Sequence, residues 1–334
     1  MERSPFTSLP TFPALPRAPL GVHESPVERV EVDGFTIWLK REDRNAPVMA
    51  GNKARALQFL LAGLTPKTLV LTLGGVGSTH VLATARLAAT MGARTWAVRW
   101  PHALNPSARA VAAAIGDCCE QAPVLAAPLA LLRHAGWRLG ALVSGRDVRL
   151  IPFGGSAPAG IAGHIEAALE LAAQVEAGLL PAPRRIVLPT GSGGTAAGLA
   201  LGLAWAGLEC EVVGVRVGPR IGINRRRVLA LAAETRRWFR NTTGLQLPAP
   251  VTVRVLHGYY GKAYGDPLPA GQAAARKLSR VTDVSLDDSY GAKAAAAALD
   301  LAADSDGPTL LWVTHDTRAL DSAVARHPSA ATAG

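Results

Sequence analysis

Cysteine is scarce in this chain: Cys118, Cys119 and Cys210 are the three among 334 residues. Adjacent cysteines cannot easily bridge each other and no C-x-x-C spacing occurs, so neither a disulfide framework nor a structural metal is expected. Aromatic residues are also few, at 5%, which leaves little to stack bases on. Nucleic acid is therefore not the expected partner despite a formal net charge of +10. The arginines are spread along the chain, with local groups only at 225–227 and at Arg236, Arg237 and Arg240. That surplus reads as solvated helix faces, which would also favour small anionic substrates. No apolar run reaches the ~18–20 residues of a membrane span. Residues 1–19 are proline-rich and lack the basic start and apolar core of a signal peptide, so the expected location is cytoplasmic, with no membrane partner. Apolar residues themselves are plentiful, at 49% against 18% charged, as in a globular protein long enough for two cores.

Short β-branched or leucine-rich runs at 36–40, 68–73, 95–100, 149–153, 185–189, 211–217 and 309–314 predict strands. Between them, apolar residues recur at helical spacing, as in Leu57, Leu60, Leu61 and Leu64, and in Leu82, Leu87 and Met91. Helices are predicted over 54–64 and 159–178, with another after the turn that ends at Thr195. Strand–helix alternation of this kind implies mainly parallel sheets with helices on both faces. Glu166 and Glu170 fall on one helix face and read as a water-facing pair. His23, His102, His134, His164 and His257 stand alone and read as surface or satisfied core residues, and Trp96, Trp100, Trp137, Trp205 and Trp312 as packing residues.

The sharpest local signal is Thr190-Gly-Ser-Gly-Gly-Thr195, directly after a predicted strand and before a predicted helix. Glycines let several backbone N–H groups converge on one anion, and the helix start adds its unsatisfied amides and positive dipole end. A plain glycine-rich strand–helix turn is the alternative. Gly191, Gly193 and Ala196 also fit a loose dinucleotide fingerprint. That reading needs a carboxylate at the end of the next strand, which instead runs out in Arg216-Val-Gly-Pro219. No Walker-type G-x-x-x-x-G-K-[ST] occurs. Gly51-Asn52-Lys53 precedes a predicted helix, whose dipole would disfavour the ammonium and promote the free amine that imine chemistry requires. Alone, Lys53 reads as a surface lysine at a helix start.

The segment Trp38-Leu-Lys-Arg-Glu-Asp43 through Gly51-Asn-Lys53-Ala-Arg-Ala-Leu-Gln-Phe-Leu60 resembles the 1-aminocyclopropane-1-carboxylate (ACC) deaminase/D-cysteine desulfhydrase family of fold type II pyridoxal-phosphate enzymes. The resemblance continues in order along nearly the whole chain. Leu71-Thr-Leu-Gly-Gly-Val-Gly-Ser78-Thr79-His80 is similar to the family's Ser-Asn-His loop. Ile151-Pro-Phe-Gly-Gly-Ser156 is similar to the strand and turn returning to the larger domain, and the loop at Thr190 to the phosphate loop. Tyr264-Gly-Asp-Pro267 resembles a Tyr-Gly-x-Pro whose tyrosine lies against the cofactor ring. Asp288-Ser-Tyr290-Gly-Ala-Lys293 resembles an Asp-x-x-Tyr-x-Gly-Lys stretch with an active-site acid or base.

The resemblance implies an α/β fold of two three-layer αβα domains with mainly parallel sheets, akin to the tryptophan synthase β chain. Residues 48–163 would form the smaller domain, and residues 1–47 with 164–334 the larger, cofactor-binding one. It implies pyridoxal 5'-phosphate held as a Schiff base by Lys53, with the phosphate on Gly191, Ser192, Gly193, Gly194 and Thr195 and the ring near Thr79 and Tyr264. Ser78, Thr79 and His80 would bind a substrate carboxylate, and Lys53, Ser78 and Tyr290 would be catalytic. The implied partner is a small amino acid, and relatives of this kind commonly form dimers. The implied activity is that of a lyase or deaminase: β-elimination from a D-cysteine-like substrate, or opening of the ACC ring. Departures from the pattern also point to a diverged member with another biosynthetic reaction or none. Thr79 stands where the family has Asn, and Gly291 where it has Thr or Glu. Val313-Thr-His-Asp-Thr-Arg318 replaces a His-Thr-Gly-Gly-like turn, so Thr314, His315 or Thr317 would have to face the pyridine nitrogen, with His315 taken as the cofactor contact.

Overall fold

The computed structural model describes residues 9–102, 104–304 and 307–315. Two sheets organise them. The hairpin β1 (Val27–Val32) and β2 (Phe35–Lys40) turns at Asp33 and Gly34, both with positive φ. This is the asparagine/aspartate–glycine chemistry of a tight hairpin. A smaller sheet combines β3 (Leu69–Gly75), β4 (Arg94–Trp100) and β5 (Val148–Leu150), all parallel, in the order β4-β3-β5. The hairpin joins the larger sheet, where β6 (Arg185–Thr190), β7 (Glu211–Arg216), β8 (Val253–Leu256) and β9 (Thr309–Trp312) run parallel. Its order is β1-β2-β9-β6-β7-β8.

Helices cover both faces of each sheet, in agreement with the α/β class and mainly parallel sheets read from the sequence. Ile186 and Leu188 of β6 pack with α5 (Pro158–Glu176), α6 (Gly194–Ala206) and α7 (Arg225–Thr243). Val187, pointing the other way, packs with α8 (Pro269–Ser279) and α9 (Gly291–Ala303). This is the two-residue alternation of a strand buried on both sides. On the small sheet, α1 (Asn52–Leu60), α2 (Thr79–Ala89) and α3 (Pro106–Cys118) share one apolar core, while α4 (Ala127–Val143) lies against β3 and β4.

The elements differ from expectation where local pattern is weak. The run at 149–153 is a three-residue strand followed by a 3-10 turn at Phe153–Gly155. The edge strands β1 and β8 lie outside the predicted runs. Glu28, Arg29 and Glu31 make half of β1 charged and only four residues form β8, so neither carries a strong apolar signature.

A buried ionic network fastens α1 to the large sheet. Glu42 is fully buried and accepts two hydrogen bonds from Arg55 of α1, at 3.0 and 2.8 Å. Arg55 also pairs with Glu170 at 2.7 Å. Lys40 donates to Glu170 at 2.6 Å, to Gln174 at 2.7 Å and to the Ser25 carbonyl at 2.8 Å. Glu170 is thus the hinge of this network rather than a water-facing residue; Glu166 keeps the outer role, paired with half-exposed Arg17. Burial alone would raise the Glu42 carboxyl, but Arg55 beside it holds it below the ordinary value. Lys40 is shifted down by burial, against the pull of Glu170.

Candidate active site

A cavity of about 820 Å³ opens at the carboxyl ends of strands from both sheets, where ligands of open α/β sheets bind. Gly75 ends β3, Trp100 ends β4 and Thr190 ends β6; all three line it, as do Thr314 and His315 just beyond β9. Among the described residues, Lys53 is the lysine that lines this space.

Lys53 is the second residue of α1 rather than part of a preceding turn. Its accessible surface faces the cavity, and its amine sits deep among protein atoms; that burial lowers its pKa to about 8. Desolvation thus does the work that the helix dipole was expected to do. The amine donates to Asn52 Oδ1 at 3.3 Å, Asn52 Nδ2 to Thr195 Oγ1 at 3.0 Å, and Thr195 Oγ1 lies 3.4 Å from His164 Nε2. This line ties the lysine to the start of α6.

The position of Lys53 depends on Gly51. Its φ of 123° is open to few L side chains, and a Cβ there would stand 2.5 Å from the Thr314 carbonyl oxygen. Without that Cβ, Gly51 forms an antiparallel bridge with His315, and the Asn52 N–H donates to Thr314 O at 3.0 Å. The end of β9 therefore locks the start of α1, and Thr314 and His315 reach the cavity beside Lys53. Thr317, the other residue weighed for the pyridine contact, lies outside the described residues.

The glycine-rich loop runs from the end of β6 into α6. Gly193 has φ 92° and is the N-cap residue of α6, so the loop presents the helix's open amides to the cavity. Gly191, Ser192, Gly193 and Thr195 line the cavity; Gly194 lies behind, where a Cβ would stand 2.6 Å from Ser156 Oγ. Ser156 Oγ in turn donates to Ser192 Oγ at 2.6 Å. His164 beneath the loop is buried, and burial drops its pKa to about 3, so it stays neutral and does not compete as a cation.

Opposite, the start of α2 points at the same space. Ser78 is its N-cap, accepting from Val81 N at 3.4 Å, and Thr79 and His80 open its first turn. These amides suit a carboxylate. His80 is buried with a pKa lowered to about 3, by burial first and Lys53 second, and its Nε2 lies 3.3 Å from Thr72 Oγ1.

Two tyrosines complete the set. The Tyr264 and Tyr290 hydroxyls are 2.5 Å apart, and burial raises both pKa values, Tyr290 well above ordinary, so both phenols are protonated at neutral pH. Asp287 fixes Tyr290 by accepting the N–H groups of Ser289, Tyr290 and Gly291 at 2.9, 2.8 and 3.1 Å. Asn105 Nδ2 donates to Gly265 O at 3.4 Å and to Ser289 Oγ at 3.2 Å, joining the two tyrosine loops. His102 stands edge-on to Tyr264 at 5.0 Å, and Trp100 against Phe153 at 5.6 Å, all four in the cavity wall.

The structure thus gathers Lys53, Ser78, Thr79, His80, Gly191, Ser192, Gly193, Thr195, Tyr264, Tyr290 and His315 around one space, with Gly194 just behind. Sequence reasoning missed Asn105, Asp287, His102 and His164, and took Trp100 for a packing residue alone. The Asp at Tyr290 minus three, an Asx-type bracket, was the one local signal on offer. These residues fit pyridoxal phosphate. A glycine turn at a helix start matches a phosphate, and a buried amine free of carboxylate partners among the described residues matches an aldehyde.

Comparison with known proteins agrees. A family model described as pyridoxal-phosphate dependent enzyme matches residues 18–314. The chain is 38% identical over 323 residues to a nocardicin C-9' epimerase of Nocardia uniformis subsp. tsuyamanensis, covering 91% of this chain and 94% of that one. It is 31% identical over 276 residues to a D-cysteine desulfhydrase of Klebsiella pneumoniae, covering 80% and 81%. The crystal structure of an ACC deaminase homologue superposes with a TM-score of 0.75 at 25% identity, covering 93% of this chain and 96% of that one.

Proposed function

The chain belongs to the pyridoxal-phosphate-dependent enzymes of fold type II, in the group of the ACC deaminases and D-cysteine desulfhydrases, and on that premise we propose that it moves a proton at the α-carbon of an amino acid, with β-elimination as the outcome. One observation carries this reading: an amine with a pKa of about 8 and a protonated pair of phenols face the same cavity.

When bound, pyridoxal phosphate supplies an electron sink that stabilises negative charge beside the substrate's amino group. Lys53 would hold its aldehyde carbon, and Gly191, Ser192, Gly193, Gly194 and Thr195 its phosphate; Thr79, Tyr264 and His315 would face its ring. Ser78 and the amides of Thr79 and His80 orient the substrate carboxylate. The Lys53 amine, neutral above about pH 8, takes the α-proton. Tyr290, held protonated and bonded to Tyr264, delivers a proton to the departing β-group. His80 and His164 stay uncharged, so neither imidazole draws the carboxylate away from α2. Trp100 and Phe153 line the small-sheet side of the space.

Epimerisation at the same carbon is the second reading. It uses the same two groups, one removing and the other returning a proton, and the 38% identical relative is named an epimerase. The two part in a panel of D-cysteine, O-activated serine derivatives and ACC, scored for keto acid and ammonia and, in heavy water, for deuterium uptake and change of hand. Keto acid supports elimination or ring opening. Deuterium exchange with inversion and no keto acid supports epimerisation. Neither product with any amino acid would overturn both readings.

A further inference from the structure

The cavity carries a charge that the proton-transfer chemistry above does not use. The first turn of α7 holds Arg225, Arg226 and Arg227 with no acidic residue, at the helix end where the dipole disfavours cations. Three like charges in one turn also repel each other. Arg225 spends its Nε on the Val253 carbonyl at 3.0 Å. Arg227 lines the cavity, is exposed, and has no ion-pair partner among the described residues. The wall offers it little compensation: Asp287 is engaged by three backbone N–H groups, and Asp288 forms no ion pair with it. A cation kept at an unfavourable helix end, facing a ligand space and unneutralised, calls for an anion supplied by the ligand.

The place of Arg227 narrows which anion. Its Asn224 cap fixes the backbone, accepting the Arg227 N–H at 3.0 Å. Its stem runs past the glycine loop, with Cγ 3.9 Å from where a Gly193 Cβ would stand. The neighbouring rim is Pro219, Ile221 and Gly222, with Ile221 94% exposed. Arg227 thus lines the cavity on the side of this exposed rim, next to the glycine loop. A cavity of about 820 Å³ stands in the upper part of the ~300–1,000 Å³ range of ligand sites, more than a cofactor with a three-carbon amino acid requires.

We infer that the cavity mouth is a subsite for an anionic group on the substrate's side chain, with Arg227 as the cation that selects it; this rests on the amino-acid reading above. The preferred substrate is then an amino acid bearing a carboxylate or phosphate well beyond its α-carbon, rather than a neutral short one. Planar, bidentate pairing suits Arg over Lys for that task.

The test uses holoenzyme and follows the visible cofactor band during titration with both enantiomers of glutamate against glutamine, and of 2-aminoadipate against norleucine. In the wild type the acidic member of a pair binds about tenfold more tightly. Arg227→Gln abolishes that preference and leaves the neutral member unchanged, Arg227→Lys keeps part of it, and added salt weakens it. Equal binding of acidic and neutral members, or a preference that survives Arg227→Gln, overturns the subsite while the proposed function stands. A loaded protein whose band responds to no amino acid overturns that function and the subsite together. Titration of apoprotein with pyridoxal phosphate separates the remaining source of anion. Unchanged affinity in Arg227→Gln supports the substrate subsite, and a tenfold loss there without loss of the acidic preference assigns the arginine to the cofactor instead.

Discussion

Gly51→Ala puts a methyl group where the end of β9 meets the start of α1. The new Cβ would lie 2.5 Å from Thr314 O, a backbone atom that no side-chain rotation can move, at a φ of 123°. An unusual backbone region of this kind costs about 1–3 kcal/mol for an L side chain. Opening the contact also strains the Asn52 N–H to Thr314 O hydrogen bond of 3.0 Å, typically worth about 0.5–1.5 kcal/mol. Alanine's stiffer unfolded chain returns about 0.4–1 kcal/mol. The net loss is about 2 kcal/mol, within a span of about 0.5–4, read from urea unfolding of the apoprotein. The functional loss is larger in proportion, because Lys53 is two residues away and shifts with the helix start. A displacement near 1 Å costs catalysis about a hundredfold, and the visible cofactor band should weaken or move. Stability within about 0.5 kcal/mol of wild type, the threshold below which surface substitutions fall, together with normal cofactor loading, would refute the idea that β9 sets the lysine.

Glu42→Gln leaves Arg55 and Lys40 sharing Glu170 alone, and breaking such a buried pair should cost about 3–5 kcal/mol in urea unfolding; a loss under 1 kcal/mol would mean the network contributes little. Reconstitution of apoprotein with pyridoxal phosphate should speed up with pH, because the Lys53 pKa is lowered to about 8 and the neutral amine is the reacting form. The rate constant, followed at the visible band, rises about tenfold per pH unit below 8 and levels off above it; a rise that continues to pH 10 would place the lysine in water. Tyr290→Phe removes the phenol while keeping the ring, so it should retain the cofactor band and lose about 10²–10⁴-fold in turnover, and unchanged turnover would remove the tyrosine pair from the chemistry.

Features fixed by neighbouring residues could be read from the sequence. The alternation of apolar runs gave the parallel α/β sheets, and Thr190-Gly-Ser-Gly-Gly-Thr195 revealed a helix start shaped for an anion because its glycines are local. Lys53 was different: its own surroundings suited a surface lysine, and only the order of loops along the chain pointed to a cofactor role. Features built by distant residues stayed hidden. Glu170 looks water-facing beside Glu166 until β2 brings Lys40 and α1 brings Arg55, more than 100 residues away in sequence. Asn105 gains its meaning from loops at 265 and 289, and His164 from Thr195 pressed over it. The cause assigned to the lysine's low pKa also changed, from helix dipole to burial, since burial is a property of the assembled cavity.

The account turns on Lys53. Borohydride treatment of the pyridoxal-phosphate-loaded protein, followed by peptide mass mapping, tests it most directly. The account predicts loss of the visible band and one reduced pyridoxyl adduct, on the peptide containing Lys53, with neither band nor adduct in Lys53→Ala. An adduct on another lysine, or a band that survives in Lys53→Ala, would contradict it.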